Sequence, residues 1–306
     1  MVGVAPAPAP ARRRGPRPPA PPGPEREAAR AAARRGALIG LPPLVTMILL
    51  FAVPLGIVAV YSVATRGRTG RTELADWNLD AYARLLEPLV LEIAGRSLGY
   101  AALTTLLCLA IGYPFAYWLT TRRPGVRAVL LVLVMLPFWS NFLVRTYAWR
   151  VLLGSDGPIV TALAAVGLGE VRLLFTPFAV VLGLVYGYLP FMVLPLYSSL
   201  ERLDLRLVEA ARDLGATGWE AFRRVTWPLS RPGVVAGSVL VFIPSFGAYV
   251  TPELLGGSRT TLVGSFVVRQ FLSARDWPFG SALSMAILVV MLAATVAYFR
   301  AQERRS

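Results

Sequence analysis

Long uncharged runs, separated by short charged segments, dominate the chain from residue 36 onward. Six of these runs are near or above the length that an α-helix needs to cross a hydrocarbon core of about 30 Å. A charge at bilayer depth costs about 2.5 to 3.5 kcal/mol, so the flanking charges bound each run. The pattern predicts six membrane spans, at residues 36–65, 97–121, 128–144, 173–200, 232–252 and 277–299.

The segments outside these spans suggest the organisation of the chain. Residues 1–35 alternate Ala, Pro and Arg without apolar periodicity, which predicts a disordered tail. Residues 36–300 are expected to form one six-span domain with a charged loop at 201–231, followed by a short C-terminal end at 301–306. The apolar segment 157–169 is too short to cross a membrane, so we expect a short interfacial helix there.

The distribution of arginine orients the predicted spans. All 31 basic residues are Arg. Twenty of them, with 8 acidic residues, lie in the tail, the loop around Arg122, the loop 201–231 and the C-terminal end, which gives these segments a net charge of +12. The other loops hold 11 Arg and 9 acidic residues, a net charge of +2. Because basic residues favour the cytoplasmic side, both termini are predicted to be cytoplasmic.

The formal charge of +14 therefore mainly reflects the orientation of the chain in the membrane. The basic segments can also attract anionic membrane lipid. The charge does not predict nucleic-acid binding. Without Lys the chain has no P-loop, so it is not expected to hydrolyse ATP by itself. His is absent, the predicted spans contain no Asp or Glu, and the one cysteine, Cys108, has no partner for a disulfide. We therefore expect neither an enzyme nor a metal or cofactor site.

An ion-coupled secondary transporter is the alternative from another class. Such a carrier usually places ionisable side chains within the membrane, or shows inverted repeats with broken helices in matching positions. The sequence shows neither feature clearly.

The charged loop before the fifth span carries the capping signals of two short helices. Asp204 is expected to cap the first helix, and Gly215 to end it in the left-handed conformation. Thr217 and Glu220 are spaced as a capping box for a second helix, which Pro228 is expected to stop. The apolar positions of the first helix share one face: Leu205, Val208, Ala211 and Leu214.

The same loop resembles the EAA loop of ABC-importer permeases, whose pattern is Glu-Ala-Ala-x3-Gly-x9-Ile-x-Leu-Pro. The spacing is intact here, with Val in place of Ile and Trp in place of Leu. The matching residues are Glu209, Ala210, Ala211, Gly215, Val225, Trp227 and Pro228. The resemblance implies an all-α membrane protein with six transmembrane helices in the type I ABC-importer permease arrangement.

Three further segments, at 135–147, 255–257 and 275–280, resemble permeases of the spermidine/putrescine importers. The likeness runs from about the first span to the C-terminus. It implies a multi-pass permease of the bacterial inner membrane that takes up polyamines. Permeases for iron, sulfate and other small solutes share the loop, and they remain an alternative.

The resemblance also implies partners and residue roles. In this family two permease subunits form the pathway, two ATPase subunits use the ATP, and an external solute-binding protein delivers the substrate. The second permease is expected to be a different chain. Glu209 is expected to pair with a basic group on the ATPase, Ala210 and Ala211 to allow close approach, and Gly215 to provide the turn.

A polyamine carries several positive charges, so its path is expected to offer aromatic faces and carboxylates. The candidates lie in the spans or at the outer ends of the last two: Tyr186, Tyr188, Tyr249, Glu253, Asp276 and Trp277. Each has an ordinary structural alternative. Tyr and Trp are common at membrane interfaces, and a carboxylate at a helix end is commonly solvated.

Overall fold

The structure, a computed structural model, describes residues 24–67, 72–74, 76–167, 171–257 and 260–303. Within this part of the chain, residues up to Gly56 form one compact unit and residues from Ile57 onward form a second. Most of the predicted tail lies outside the described residues. Its last part, from Pro24, is helical where disorder was predicted, because this stretch is rich in Ala and Arg, which favour helix.

The described chain is almost entirely α-helical, with one small antiparallel hairpin of β1 (Thr65–Arg66) and β2 (Thr72–Glu73). The helices are α1 Pro24–Ser62, α2 Asp80–Ala83, α3 Pro88–Thr120, α4 Pro124–Trp139, α5 Phe142–Leu152, α6 Pro158–Ala165, α7 Pro177–Glu201, α8 Leu205–Asp213, α9 Gly218–Ala221, α10 Trp227–Phe246, α11 Val263–Leu272 and α12 Trp277–Glu303. A 3-10 turn at Arg84–Leu86 and π-helical turns at Phe222–Thr226 and Pro252–Gly256 complete them.

Five helical segments of the described chain are long and apolar enough to cross a membrane. They are Gly40–Ser62, Pro88–Thr120, Pro177–Glu201, Gly218–Phe246 and Trp277–Val296. A sixth span results if α4 and α5 together count as one broken crossing. The short helix α6 forms where the sequence predicted one.

The predicted third span, 128–144, is broken near its end. Between α4 and α5 the chain bends by 90°. The side-chain oxygen of Asn141 accepts hydrogen bonds from the N–H of Leu143 (2.8 Å) and of Val144 (3.4 Å), which caps the start of α5. Hydropathy predicted one uninterrupted span because it registers the length of an apolar run and not the cap within it.

The fifth span is shifted from its predicted limits of 232–252. Pro228 does not stop the second helix of the loop, because α9 continues through the π-helical turn into α10. Pro228 instead occupies the first turn of α10, where the missing N–H of a proline is tolerated. At its other end α10 stops at Phe246, short of the predicted limit.

The main hydrophobic cluster lies where α3, α7 and α10 meet. Its buried members include Cys108, Ala116, Leu119, Met192, Leu196 and Val241. Two glycines of α10 permit the close approach of α7. A Cβ atom added at Gly237 would lie 2.7 Å from the Met192 sulfur, and one at Gly233 would lie 2.7 Å from the Pro195 carbonyl oxygen. A second cluster joins α3 to α11 and α12 through Val90, Ile93, Ala101, Val263, Phe279 and Leu283.

Candidate functional site

The loop 201–231, here called the coupling loop after the role that its resemblance implies, contains α8, which the sequence predicted. The Asp204 carboxylate accepts a hydrogen bond of 3.0 Å from the backbone N–H two residues on, which caps the helix. Val208 is buried, whereas Glu209 and Ala210 are exposed and Ala211 is half-buried. Among the described residues, Glu209 has no ion-pair partner. The helix therefore presents a charged and a small residue on its outer face.

Gly215 ends this helix with a φ of +87°, as predicted. Its N–H donates to the Arg212 carbonyl at 2.9 Å, and the N–H of Ala216 donates to the Ala211 carbonyl at 3.0 Å. These two bonds satisfy the last carbonyls of the helix in the Schellman arrangement. Leu214 was predicted on the buried face but is 89% exposed, because it lies beyond the last residue of α8.

The second helix of the coupling loop starts with the predicted capping box. The N–H of Thr217 donates to a Glu220 carboxylate oxygen at 2.9 Å, and the N–H of Glu220 donates to the Thr217 hydroxyl at 3.3 Å. Trp219 stacks on Phe222 at 5.3 Å between ring centroids and remains 68% exposed. Trp219 and Leu214 add exposed apolar surface to the loop.

The later part of the EAA pattern faces the membrane helices. The Trp227 ring lies 5.5 Å from the Tyr113 ring of α3, and Phe222 meets Tyr113 edge-on at 5.7 Å. The Tyr113 and Ser230 hydroxyls are 2.8 Å apart. The other two residues of this part of the pattern are half-buried: Val225 and Pro228. These contacts anchor the coupling loop to α3, and the sequence offered no signal for Tyr113.

Tyr186 and Tyr188 of α7, both candidates for a substrate path, have different neighbours. The Tyr186 ring meets the Trp149 ring edge-on at 5.4 Å. The Tyr188 hydroxyl instead donates to the Pro244 carbonyl at 3.2 Å. Tyr188 also packs against Phe191 at 6.3 Å between ring centroids, and Phe191 meets Phe138 edge-on at 5.1 Å.

Arg145 lies in the bent span, which the sequence analysis missed because it ended the third span at this charge. Its guanidinium carbon lies 5.3 Å from the centroid of the Phe138 ring, 5.6 Å from that of Phe142 and 5.8 Å from that of Tyr186. The same guanidinium donates to the Pro137 carbonyl at 2.6 Å. Since Pro137 belongs to α4 and Arg145 to α5, this bond joins the two halves of the bend.

The remaining exposed candidates lie near the last two spans. Glu253 pairs with Arg269 at 3.0 Å. The Tyr249 ring is exposed, and the Trp277 ring lies 5.8 Å from that of Tyr61. The structure does not gather these side chains into one site, and it gives Glu253 a basic partner.

Asp276 does not fit the predicted role in a substrate path. Its side chain is only 2% exposed, and one carboxylate oxygen lies 2.8 Å from Arg84 and 3.3 Å from Arg66. The other oxygen accepts the N–H of Phe279 at 3.2 Å, which caps the start of α12. We therefore correct the prediction: this carboxylate is buried and neutralised by two guanidinium groups, so it is not available to a passing cation.

A cavity of about 820 Å³ opens elsewhere on the described structure. Its lining includes Arg96, Tyr100, Arg172, Phe175, Thr176 and Thr260. The predicted pathway residues are not among its described lining residues. Two arginines line this cavity.

Comparison with known proteins supports the assignment that the coupling loop suggested. Residues 36–304 match the family described as "Binding-protein-dependent transport system inner membrane component". The spermidine/putrescine transport system permease protein PotB of Escherichia coli (strain K12) is 45% identical over 229 residues, which cover 74% of this chain and 83% of that protein. The PotB protein of Haemophilus influenzae is 45% identical over 227 residues, 74% of this chain and 79% of that protein.

The fold has solved counterparts. The crystal structure of a bacterial alginate ABC transporter, in complex with its alginate pentasaccharide-bound periplasmic protein, contains a chain that superposes with a TM-score of 0.72. The alignment covers 91% of this chain and 96% of that chain at 16% identity. The expected all-α type I permease fold is thereby confirmed. The chain belongs to the family of binding-protein-dependent transport system inner membrane components, and it is a multi-pass permease subunit of an ABC importer.

Proposed function

We propose that this permease carries polyamines, spermidine or putrescine, inward across the bacterial inner membrane. The observation that supports the substrate is the 45% identity, over three quarters of this chain, to permeases named for spermidine and putrescine. Two of the segments that resemble polyamine permeases lie where the helices bend or begin. Residues 135–147 include the 90° bend, and residues 275–280 include the start of α12.

The coupling loop is the proposed contact with the ATPase. Its exposed Glu209 pairs with a basic group of the ATPase, while Ala210 and Ala211 let the two surfaces approach closely. Gly215 sets the direction in which the chain leaves α8. The exposed Trp219 supplies an aromatic anchor of the kind that is enriched in stable interfaces. The ATP is bound and hydrolysed by the partner ATPase subunits, and this chain contributes no catalytic group.

The complete transporter holds two ATPase subunits, a second permease of different sequence and an external solute-binding protein. The arginine distribution supports an orientation with both termini in the cytoplasm. The coupling loop then lies on the ATPase side and the hairpin of β1 and β2 on the side of the binding protein.

Cysteine labelling tests this orientation. In a Cys108→Ser background, Thr72→Cys should react with an impermeant thiol reagent in intact cells, whereas Thr217→Cys should react only after the membrane is opened. Both native residues lie outside the apolar runs, so each introduced thiol should be reachable from its own side. Labelling of Thr217→Cys in intact cells would reverse the topology.

The substrate path is proposed to use aromatic faces more than fixed charge. Tyr188, Tyr249 and Trp277 each offer a face, and one cation contact contributes about 0.5 to 2 kcal/mol. Tyr186 is a further candidate, although the Arg145 guanidinium already lies 5.8 Å from the centroid of its ring. Glu253 is the remaining carboxylate candidate, and its pairing with Arg269 reduces the attraction it exerts. High affinity then resides in the separate solute-binding protein, because a path that bound tightly would release slowly.

One observation favours a second candidate, the uptake of a small anionic solute by the same kind of complex. Arg145 lies within the bent span and forms no ion pair with a described carboxylate. The 820 Å³ cavity also carries Arg172, and Arg96, whose guanidinium is paired with Glu92. The guanidinium groups of Arg145 and Arg172 attract an anion.

Uptake by proteoliposomes that contain both permeases, the ATPase and the solute-binding protein separates the two candidates. With ATP inside the vesicles, labelled spermidine or putrescine should accumulate, and sulfate should not. Accumulation of sulfate without polyamine would leave the importer assignment standing and would overturn the proposed substrate.

A further inference from the structure

A cluster of three side chains joins the start of α4 to the end of α7. Arg127 donates from one guanidinium nitrogen to a Glu201 carboxylate oxygen at 2.9 Å and to the Tyr197 hydroxyl at 3.4 Å. The Tyr197 hydroxyl donates to the same Glu201 oxygen at 2.6 Å. We call Arg127, Tyr197 and Glu201 the Arg127 cluster.

The second guanidinium nitrogen of Arg127 reaches a third helix. It donates to the Thr120 carbonyl at 2.9 Å and to the Arg122 carbonyl at 3.2 Å. Thr120 is the last residue of α3, where backbone carbonyls have no partner within the helix. The planar guanidinium fork can bind a carboxylate and these carbonyls together, which the single ammonium group of Lys cannot do with the same geometry. One side chain therefore holds the ends of α3, α4 and α7.

The Arg127 cluster lies between the coupling loop and the helix that leads to the 90° bend. Glu201 is the last residue of α7, three positions before Asp204 caps the first helix of the coupling loop. Arg127 is in the first turns of α4, whose other end is the 90° bend before Asn141. Tyr197 is buried and belongs to the main hydrophobic cluster. These contacts therefore connect the coupling loop with the bent span.

The number of its contacts distinguishes the cluster from an isolated surface ion pair. The Arg127 side chain is 22% exposed and Glu201 is 46% exposed, whereas Arg224, which pairs with Glu220 at 3.9 Å in the coupling loop, is 72% exposed and Glu220 is 43% exposed. Exposed pairs of the second kind contribute little. Arg127 in contrast has four acceptors, two of which are backbone carbonyls of another segment.

We propose that the Arg127 cluster transmits movement of the coupling loop to the bent span, so that Arg127 and Glu201 are positioning residues of the transport cycle. The proposal rests on the coupling role proposed for the loop. When the ATPase moves α8, the end of α7 moves with it, and the Arg127 cluster makes α4 follow. Without the cluster, ATP hydrolysis continues but the bend responds less.

The test measures the response of the bend itself, so it does not depend on the identity of the substrate. Ser140→Cys, in a Cys108→Ser background, places an exposed thiol at the bend. Its rate of reaction with a maleimide is measured in the complete complex without nucleotide and after trapping with ATP and vanadate. Trapping should change the rate at least threefold with the native cluster. Arg127→Gln and Glu201→Gln should each reduce the change to less than 1.5-fold.

Two comparisons distinguish transmission from a loss of folding. Arg123→Gln removes a positive charge four positions earlier, where the Arg123 side chain has no ion-pair partner among the described residues, and it should respond like the native chain. Because Arg127 and Glu201 act as a unit, the double variant should lose no more of the response than the stronger single variant. Arg127→Lys should keep a partial response.

The proposal is overturned if trapping changes the Ser140→Cys rate equally with and without the cluster. It is also overturned if the native cluster shows no change while the ATPase is trapped, because the bend then does not move. If proteoliposomes take up no polyamine but the rate still changes in a cluster-dependent manner, the proposed substrate fails and the positioning role stands.

Discussion

Replacing Gly215 by Val should reduce transport at least tenfold while the amount of permease in the membrane stays close to that of the native chain. Gly215 has a φ of +87°, and a β-branched residue held there costs on the order of 1 to 3 kcal/mol. The turn therefore changes direction, and α8 no longer presents Glu209 as before. Insertion depends on the apolar spans, which the substitution leaves unchanged. Immunoblots of membranes and uptake assays measure the two effects.

Two matched variants test the cause of this loss. Gly215→Asn should keep most of the transport, because Asn adopts the left-handed conformation more readily than other side chains. Gly218→Ala alters the same loop at a glycine without a positive φ, where an added Cβ atom would lie 3.8 Å from Arg212, and it should be nearly neutral. Native uptake by Gly215→Val would remove the support for a coupling role of this turn.

The double substitution Arg66→Gln and Arg84→Gln should destabilise the folded permease strongly. It leaves the Asp276 carboxylate, 2% exposed, without either guanidinium partner. An uncompensated buried charge costs on the order of 3 kcal/mol, which corresponds to a fall of about 5 to 10 °C in the apparent melting temperature of a chain this size. Thermal unfolding of the detergent-purified permease provides the measurement.

Arg269→Gln is the matched control for this effect. It removes the partner of Glu253, a pair in which both side chains are well exposed, and such pairs contribute about 0 to 1 kcal/mol. Its melting temperature should stay within about 2 °C of that of the native chain. An unchanged melting temperature in the double variant, together with a large loss of polyamine uptake, would return Asp276 to the substrate path.

The parts of the fold that the sequence predicts well depend on neighbouring residues. The caps of the coupling loop each join positions two or three residues apart, as Asp204 does with the N–H of Arg206 and Thr217 with Glu220. Such bonds follow from the local sequence, so α8, the turn at Gly215 and the capping box all have the predicted form. The apolar runs located the spans for the same reason, since length and hydropathy are local properties.

The parts that the sequence could not predict depend on distant contacts. Asp276 finds its arginine partners 192 and 210 positions earlier in the chain, so its burial has no local signal. The Arg127 cluster joins positions 74 residues apart. The prediction that Pro228 stops a helix was wrong, because the preceding π-helical turn leads directly into α10. The Asp276 error therefore reflects tertiary contacts, whereas the Pro228 error reflects the tolerance of proline in the first turn of a helix.

ATP hydrolysis by the complete complex in lipid nanodiscs tests the account most directly, because it reports substrate and coupling in one assay. The solute-binding protein loaded with spermidine should stimulate hydrolysis at least fivefold over the unloaded protein, and Gly215→Val should remove this stimulation. Equal hydrolysis with loaded and unloaded binding protein, or full stimulation in Gly215→Val, would contradict the account.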